Sequence, residues 1–287
     1  MPNERQLVDY RELIPDVRQY ILDRNKQDPE IYDPIDVERV ERDEWSTLRF
    51  IKWNRGDVGK ARTQLDTCLK WRQEFGINRR TVADVPVEFT KAGAIFTAGT
   101  DMAGRRVLYL RAKVYRRIPA LVDYFKQFVV GLLDLVDKDA GASGYSLVFD
   151  LTGLGFSNAD MDFLQFLINT FRNYFPYGLR HVTVYSLPRL LRPLWAVARL
   201  WIGSEQEKLI KFVYSVDELR AIIPVDQLPC YLGGQLDTDF TEAPPGCKSV
   251  KELAPQYGFT DKEVDKYIKI FEPHLLEAKQ LVTIGAK

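Results

Sequence analysis

Histidine occurs twice and cysteine three times in 287 residues. Cys68, Cys230 and Cys247 form no CxxC pair, and neither His181 nor His274 has a partner at metal-ligand spacing. That scarcity excludes zinc-finger chemistry, and an odd count of dispersed thiols suits a reducing compartment better than a disulfide framework. No run of about 18 apolar residues occurs, so no segment reads as membrane-spanning. The opening MPNERQLVDYRELIPD has charges where a secretory leader needs its apolar core. Excess charge is missing too: 40 basic side chains face 40 acidic ones, which argues against a dedicated nucleic-acid binder.

The familiar catalytic signatures are also absent. There is no GxxxxGK[ST], and GASG at 141–144 is not the GxSxG of a nucleophile elbow. The run GLGFSN follows a strand pattern and precedes a helix, but it stops at GxGxxN without the third glycine of a dinucleotide site. Turn formation and capping account for Asp150 and Asp160. The expectation is a protein without catalytic residues, metal or cofactor.

What is present is 46% hydrophobic residues, of ordinary globular kind. Residues 1–78 read as helical, with Leu7, Tyr10, Leu13, Ile14, Val17 and Ile21 at three- to four-residue spacing. Asp57 predicts an N-cap and Gly76 a stop for a helix through Phe75, with Val58, Ala61, Leu65, Cys68, Leu69 and Arg72 down one side. From about Gly93 the pattern becomes α/β: a hairpin turning at TDMAG, then the strand YSLVFDL between amphipathic helices. The second of those helices runs from Met161, with Ser157 or Asn158 as its cap. HVTVYSL and FVYS predict two further strands, so the sheet is at least partly parallel. The division is a helical module over 1–78, an α/β domain over 79–243 and a helical extension over 244–287.

The segment RPLWAVARLWIG (192–203) is nearly all apolar but far too short to cross a bilayer. At about 100° per residue, Arg192 and Arg199 share one narrow stripe flanked by Trp195, and apolar side chains fill the remainder. Such a helix is either buried between layers, or it has a ligand cavity on one side and a membrane on the other. Basic residues cluster at Arg105–Arg106, Arg111–Arg117 and Arg189–Arg192, where anionic lipid would attract them.

Taken in order, LRFIKWNRGDVGKARTQLDTCLKWRQEFG, VFDLTGL, NYFPYGLRHVTVYSLPRLLRPLWAVARLWI and LPCYLGG resemble the CRAL-TRIO lipid-binding family over roughly residues 36–235. Within it, YDPIDVERVERDEW and DMDFLQFLINTFRNYFP are most similar to the lipid-binding domains of motile sperm domain-containing proteins. The resemblance implies an N-terminal helical lobe and a mixed, largely parallel five-stranded sheet flooring an apolar pocket. It also implies a mobile gate helix, here residues 190–203, that opens at the bilayer to exchange one lipid or hydrophobic small molecule without catalysis.

The implied pocket lining is Tyr109, Leu147, Phe149, Phe163, Phe166, Leu167, Val184, Leu194, Val197, Ala198, Trp201 and Leu209. Arg55, Arg189, Arg192, Trp195 and Arg199 are the implied headgroup or membrane contacts, with Trp201 turned inward and Trp195 outward. The Thr and Lys that hold phosphatidylinositol in some members fall on Gln206 and Leu209, and the basic pair of the helical module falls on Asn54–Arg55. Hydroxyl positions that hold phosphatidylcholine fall on Tyr145 and Leu147. The expected partners are a phospholipid or other hydrophobic ligand and, transiently, a membrane surface of the cytoplasm. The alternative is a protein-interaction scaffold that kept the fold without the cargo.

Overall fold

The computed structural model describes residues 9–285; Leu7, the first apolar position of the predicted N-terminal pattern, lies outside them. In chain order the helices and strands are α1 (Ile14–Gln27), α2 (Pro34–Arg42), α3 (Glu44–Trp53), α4 (Val58–Phe75), α5 (Val87–Lys91), β1 (Ile95–Thr100), β2 (Arg106–Arg111), α6 (Val122–Ala140), β3 (Tyr145–Asp150), α7 (Met161–Asn173), β4 (Leu179–Tyr185), α8 (Arg192–Ala198), α9 (Ser204–Glu207), β5 (Ile210–Val213), α10 (Val216–Arg220), α11 (Val250–Tyr257) and α12 (Asp261–Gly285). They fall into two units. The smaller runs to Arg80 and takes in Asn169–Gly178; the larger holds Thr81–Ile168 and everything from Leu179 onward.

In the smaller unit the helices start and stop where side chains can satisfy their ends. The Asp57 carboxylate accepts from the Lys60 amide and opens α4, and Gly76 closes it at φ 73°, a left-handed conformation costly for any residue with a Cβ. Ile14, Val17 and Ile21 of α1 meet Ala61, Leu65, Cys68 and Leu69 of α4 in one core. Arg72 continues that buried stripe and survives there because its Nε lies 2.8 Å from the Asp36 carboxylate. The NYFPYG turn belongs to this unit: Tyr174 stacks on Trp71 at 3.8 Å, and Arg49 Nε donates to the Pro176 carbonyl.

The larger unit is built on one sheet whose spatial order matches its chain order. β1 and β2 pair antiparallel, while β2, β3, β4 and β5 run parallel. The hairpin turn is where the sequence puts it, with Asp101 Oδ1 accepting from the amides of Ala103 and Arg105. β5 covers Ile210–Val213, two residues earlier than FVYS, and the identity of its buried face is unchanged because side chains alternate with period two. The cap of α7 is Asp160, not Ser157 or Asn158: Asp160 Oδ1 accepts from the Phe163 amide. Asn158 instead ties the preceding loop, accepting from the Gly155 amide and donating to the carbonyls of Lys113 and Tyr115.

Register sorts the strand residues onto two faces. One face, with Phe96, Val107, Tyr109, Val148 and Val213, is sealed by Leu219, Ile223, Leu228, Leu232, Phe240 and Ala278. The LPCYLGG element lies in this cover. Gly233 sits at φ 84° with Val216 2.7 Å from where a Cβ would stand, and Gly234 approaches the Leu228 carbonyl more closely than any Cβ permits. α12 is built into the same cover, since its Glu277 accepts from buried Arg111 at 3.2 Å and pairs with Lys113.

Candidate functional site

The opposite face of the sheet is covered unevenly. α6 packs over β1, β2 and β3, and its Phe128, Val129 and Leu133 are buried. Beyond it the register brings Leu147, Val182 and Ile210 into one row and Phe149, Val184 and Phe212 into the next. Interior strands of a parallel sheet are ordinarily buried on both faces. Here Leu147 and Val184 are buried, yet Phe149, Val182, Ile210 and Phe212 all keep partial access. The β3–β5 half of this face is an apolar strip with incomplete cover.

α8 is the element nearest that strip. It is shorter than the apolar run suggests: the helix ends at Ala198 and continues as a 3-10 turn over Arg199–Trp201, with another over Arg189–Leu191 before it. Trp195 meets Phe212 edge-on at 4.9 Å. Leu191 and Ala198 are buried, whereas Leu194, Trp195, Trp201 and Ile202 are half-buried. The outward side carries Leu190 at 68%, Val197 at 44% and Leu200 at 82% exposure. Arg189, Arg192 and Arg199 are exposed around them. Arg199 is tied to Glu207 at 2.6 Å, and the Arg192 guanidinium lies 6.0 Å from the Tyr214 ring.

The residues singled out from the sequence therefore divide. Leu147, Phe149 and Val184 share the incompletely covered face, and Leu194 and Trp195 belong to the helix whose Trp195 rests on it. Trp201 and Leu209 are half-buried in the segments after that helix, and Ala198 is buried. Tyr109 lies on the other face, paired laterally with Val148 and stacked on Phe96 at 5.1 Å, because alternation puts it opposite to Leu108 and Leu110. Burial alone pushes its hydroxyl far above the ordinary phenol range. Phe163 stacks on Tyr115 at 4.4 Å and meets Phe125 at 5.4 Å; it and Leu167 are buried, while Phe166 is half-buried beneath the Lys126 ammonium. Val197 points into solvent. Arg55 is exposed at φ 56° in the smaller unit.

Val182, Ile210 and Phe212 belong to the strip but were not among the residues singled out. Their signal was the alternation of Ile210 and Phe212 with Lys211, which a strand placed two residues late truncates. Tyr145 and Leu147 are buried, whereas Gln206 and Leu209 are half-buried. Among the described residues, no group of three or more His, Cys, Asp or Glu side chains could hold a metal ion, and no helix is long and apolar enough to cross a membrane.

Residues 90–234 match the family described as CRAL/TRIO domain. Phosphatidylinositol transfer protein CSR1 of Eremothecium gossypii is 23% identical over 235 residues, covering 74% of this chain and 54% of that protein. SEC14 cytosolic factor of Yarrowia lipolytica is 25% identical over 216 residues, covering 67% of this chain and 44% of that protein. The chain thus spans about half the length of these relatives. The crystal structure of Sfh5 superposes with a TM-score of 0.59 at 14% identity, over 77% of this chain and 84% of that one, which is a likeness of fold.

Proposed function

The chain belongs to the CRAL/TRIO family, and from that membership we propose that it binds one lipid or hydrophobic small molecule and carries or senses it between membranes. The observation that carries this reading is the half-accessible apolar strip of Phe149, Val182, Ile210 and Phe212 beside α8. An acyl chain laid on such a strip is stabilised by about 0.8 kcal/mol per buried methylene. The lining we assign is that strip with Leu147, Val184, Leu194, Trp201 and Leu209; Phe166 stands at its border.

The segment 190–203 serves as the gate. Its inner side meets apolar cargo when closed, and its outer Leu190, Val197 and Leu200, ringed by Arg189, Arg192 and Arg199, suit the interface of an anionic bilayer. Two relatives carry phosphatidylinositol transfer or cytosolic factor in their names, which supports a cytoplasmic carrier that visits membrane surfaces and performs no catalysis. With Gln206 and Leu209 where some members use Thr and Lys, the headgroup is held by other side chains. Native mass spectrometry with lipidomics on protein purified from cells should show about one lipid per chain. Protein that emerges free of lipid and takes none up from vesicles would overturn the reading.

A further inference from the structure

The three parallel strands β2, β3 and β4 all end on the same edge of the sheet, and the segment after each carries accessible basic or apolar side chains. β2 leads into Lys113, Arg116 and Arg117. β3 leads into Thr152–Ser157. β4 leads into the gate. Phe156, at the tip of the β3 loop, is 59% exposed, so a large aromatic ring stands in water. A single exposed ring would mean little, but this one is held in place. Asn158 fastens the loop with three hydrogen bonds, two of them to the carbonyls of Lys113 and Tyr115, and Arg116 Nη1 donates to Ser157 Oγ at 2.8 Å. The Leu151 amide donates to the Tyr185 carbonyl, so this loop leaves the sheet directly beside the start of the gate segment.

We propose that the Phe156 loop is a second, fixed membrane anchor, with an anionic bilayer as its occupant. It rests on the reading of the gate as a membrane-facing element. The charge around the ring selects that occupant. Arg116 lies beside Ser157, and exposed Arg117 and Arg189 stand on the same edge, an arrangement that puts a ring at the depth of the acyl boundary with guanidinium groups at phosphate level. The division of labour is physical: the gate must move to admit cargo, whereas a loop bolted to β2 and β3 can hold the protein on the surface while it does.

The test is binding of the full chain to vesicles of phosphatidylcholine with and without phosphatidylserine, followed by flotation, for wild type, Phe156→Ala and Arg116→Gln. Phe156 makes no core contact that would unfold the protein, and unchanged thermal unfolding of the variant checks this. Phe156→Ala should weaken binding to serine-containing vesicles roughly tenfold, the scale of one withdrawn aromatic ring, while co-purified cargo is retained. Arg116→Gln should narrow the difference between the two vesicle types. Wild-type binding that Phe156→Ala leaves unchanged would assign the ring to a protein partner and overturn the anchor alone. Wild type that binds neither vesicle would remove the membrane role of the gate as well.

Discussion

His181 and His274 are both half-buried, and burial holds each imidazole below the usual 6.5. Arg105 lowers the first further and Arg116 the second. The unfolded chain therefore takes up these protons at higher pH than the folded protein does. Stability from this source is full above about pH 6.5 and falls as pH drops through that value towards the folded ones. Glu88 acts in the other sense, because burial lifts its carboxyl and its protonated form suits the fold. Urea midpoints measured at pH 7.5, 6 and 5 should fall for the wild type, and the double variant His181→Gln/His274→Gln should flatten that fall. Parallel profiles would show that other groups govern the acid limb. The sequence showed that neither histidine had a metal partner, yet it carried no sign that both would be half-buried next to arginines, since that depends on which strands and helices meet.

Trp195 decides how α8 behaves as an element. The helical wheel turns it outward with the arginines, while in the structure it leans edge-on against Phe212. The wheel fixes angles between side chains but leaves the rotation of the helix about its axis free, and a neighbour in β5 sets that. Trp195→Ala should therefore release cargo faster, several-fold by the scale of one lost aromatic contact, with little change in vesicle binding. Leu200→Ser should do the reverse. Stopped-flow transfer of a fluorescent lipid, paired with flotation, separates the two, and matching effects would mean the helix is turned otherwise. Other elements were legible end to end. Asp57 and Gly76 bracket α4 because a capping carboxylate and a left-handed glycine act through their immediate neighbours. Asn158 misled because a side chain able to cap was engaged with the 113–115 carbonyls, a contact 43 to 45 residues away in sequence.

At the scale of the molecule, the C-terminal helix is a wall of the larger unit. Ala278, Leu281 and Val282 join the core beneath the sheet, and Phe271 packs on Phe89 at 5.5 Å. Arg111, 1% exposed, has Glu277 as its carboxylate partner and lies 5.6 Å from each of the rings of Tyr231 and Phe240. A chain ending at residue 260 would leave that cation buried without its partner, a change costing about 3–5 kcal/mol in comparable cases, and would bare the apolar cover. It should be recovered in aggregates, or melt well below the full chain in a thermal scan; a soluble fragment with unchanged melting would show that the sheet stands without α12. Periodicity disclosed this helix, while its place was hidden: a charged residue such as Glu277 looks like surface until its partner is known to be an arginine inside.

The order of the strands has one more consequence. Because position in the sheet follows position in the chain, β5 is both the last strand synthesised and an edge with a single neighbour. It is also only four residues long, and the gate's tryptophan leans on it. Edge strands of this length fray first, so the protein has hung its door on its loosest post. Brief loss of the β4–β5 hydrogen bonds would free the gate from its seat while β1–β4 stay paired, and the rate of that fraying sets an upper limit on how often the carrier can open.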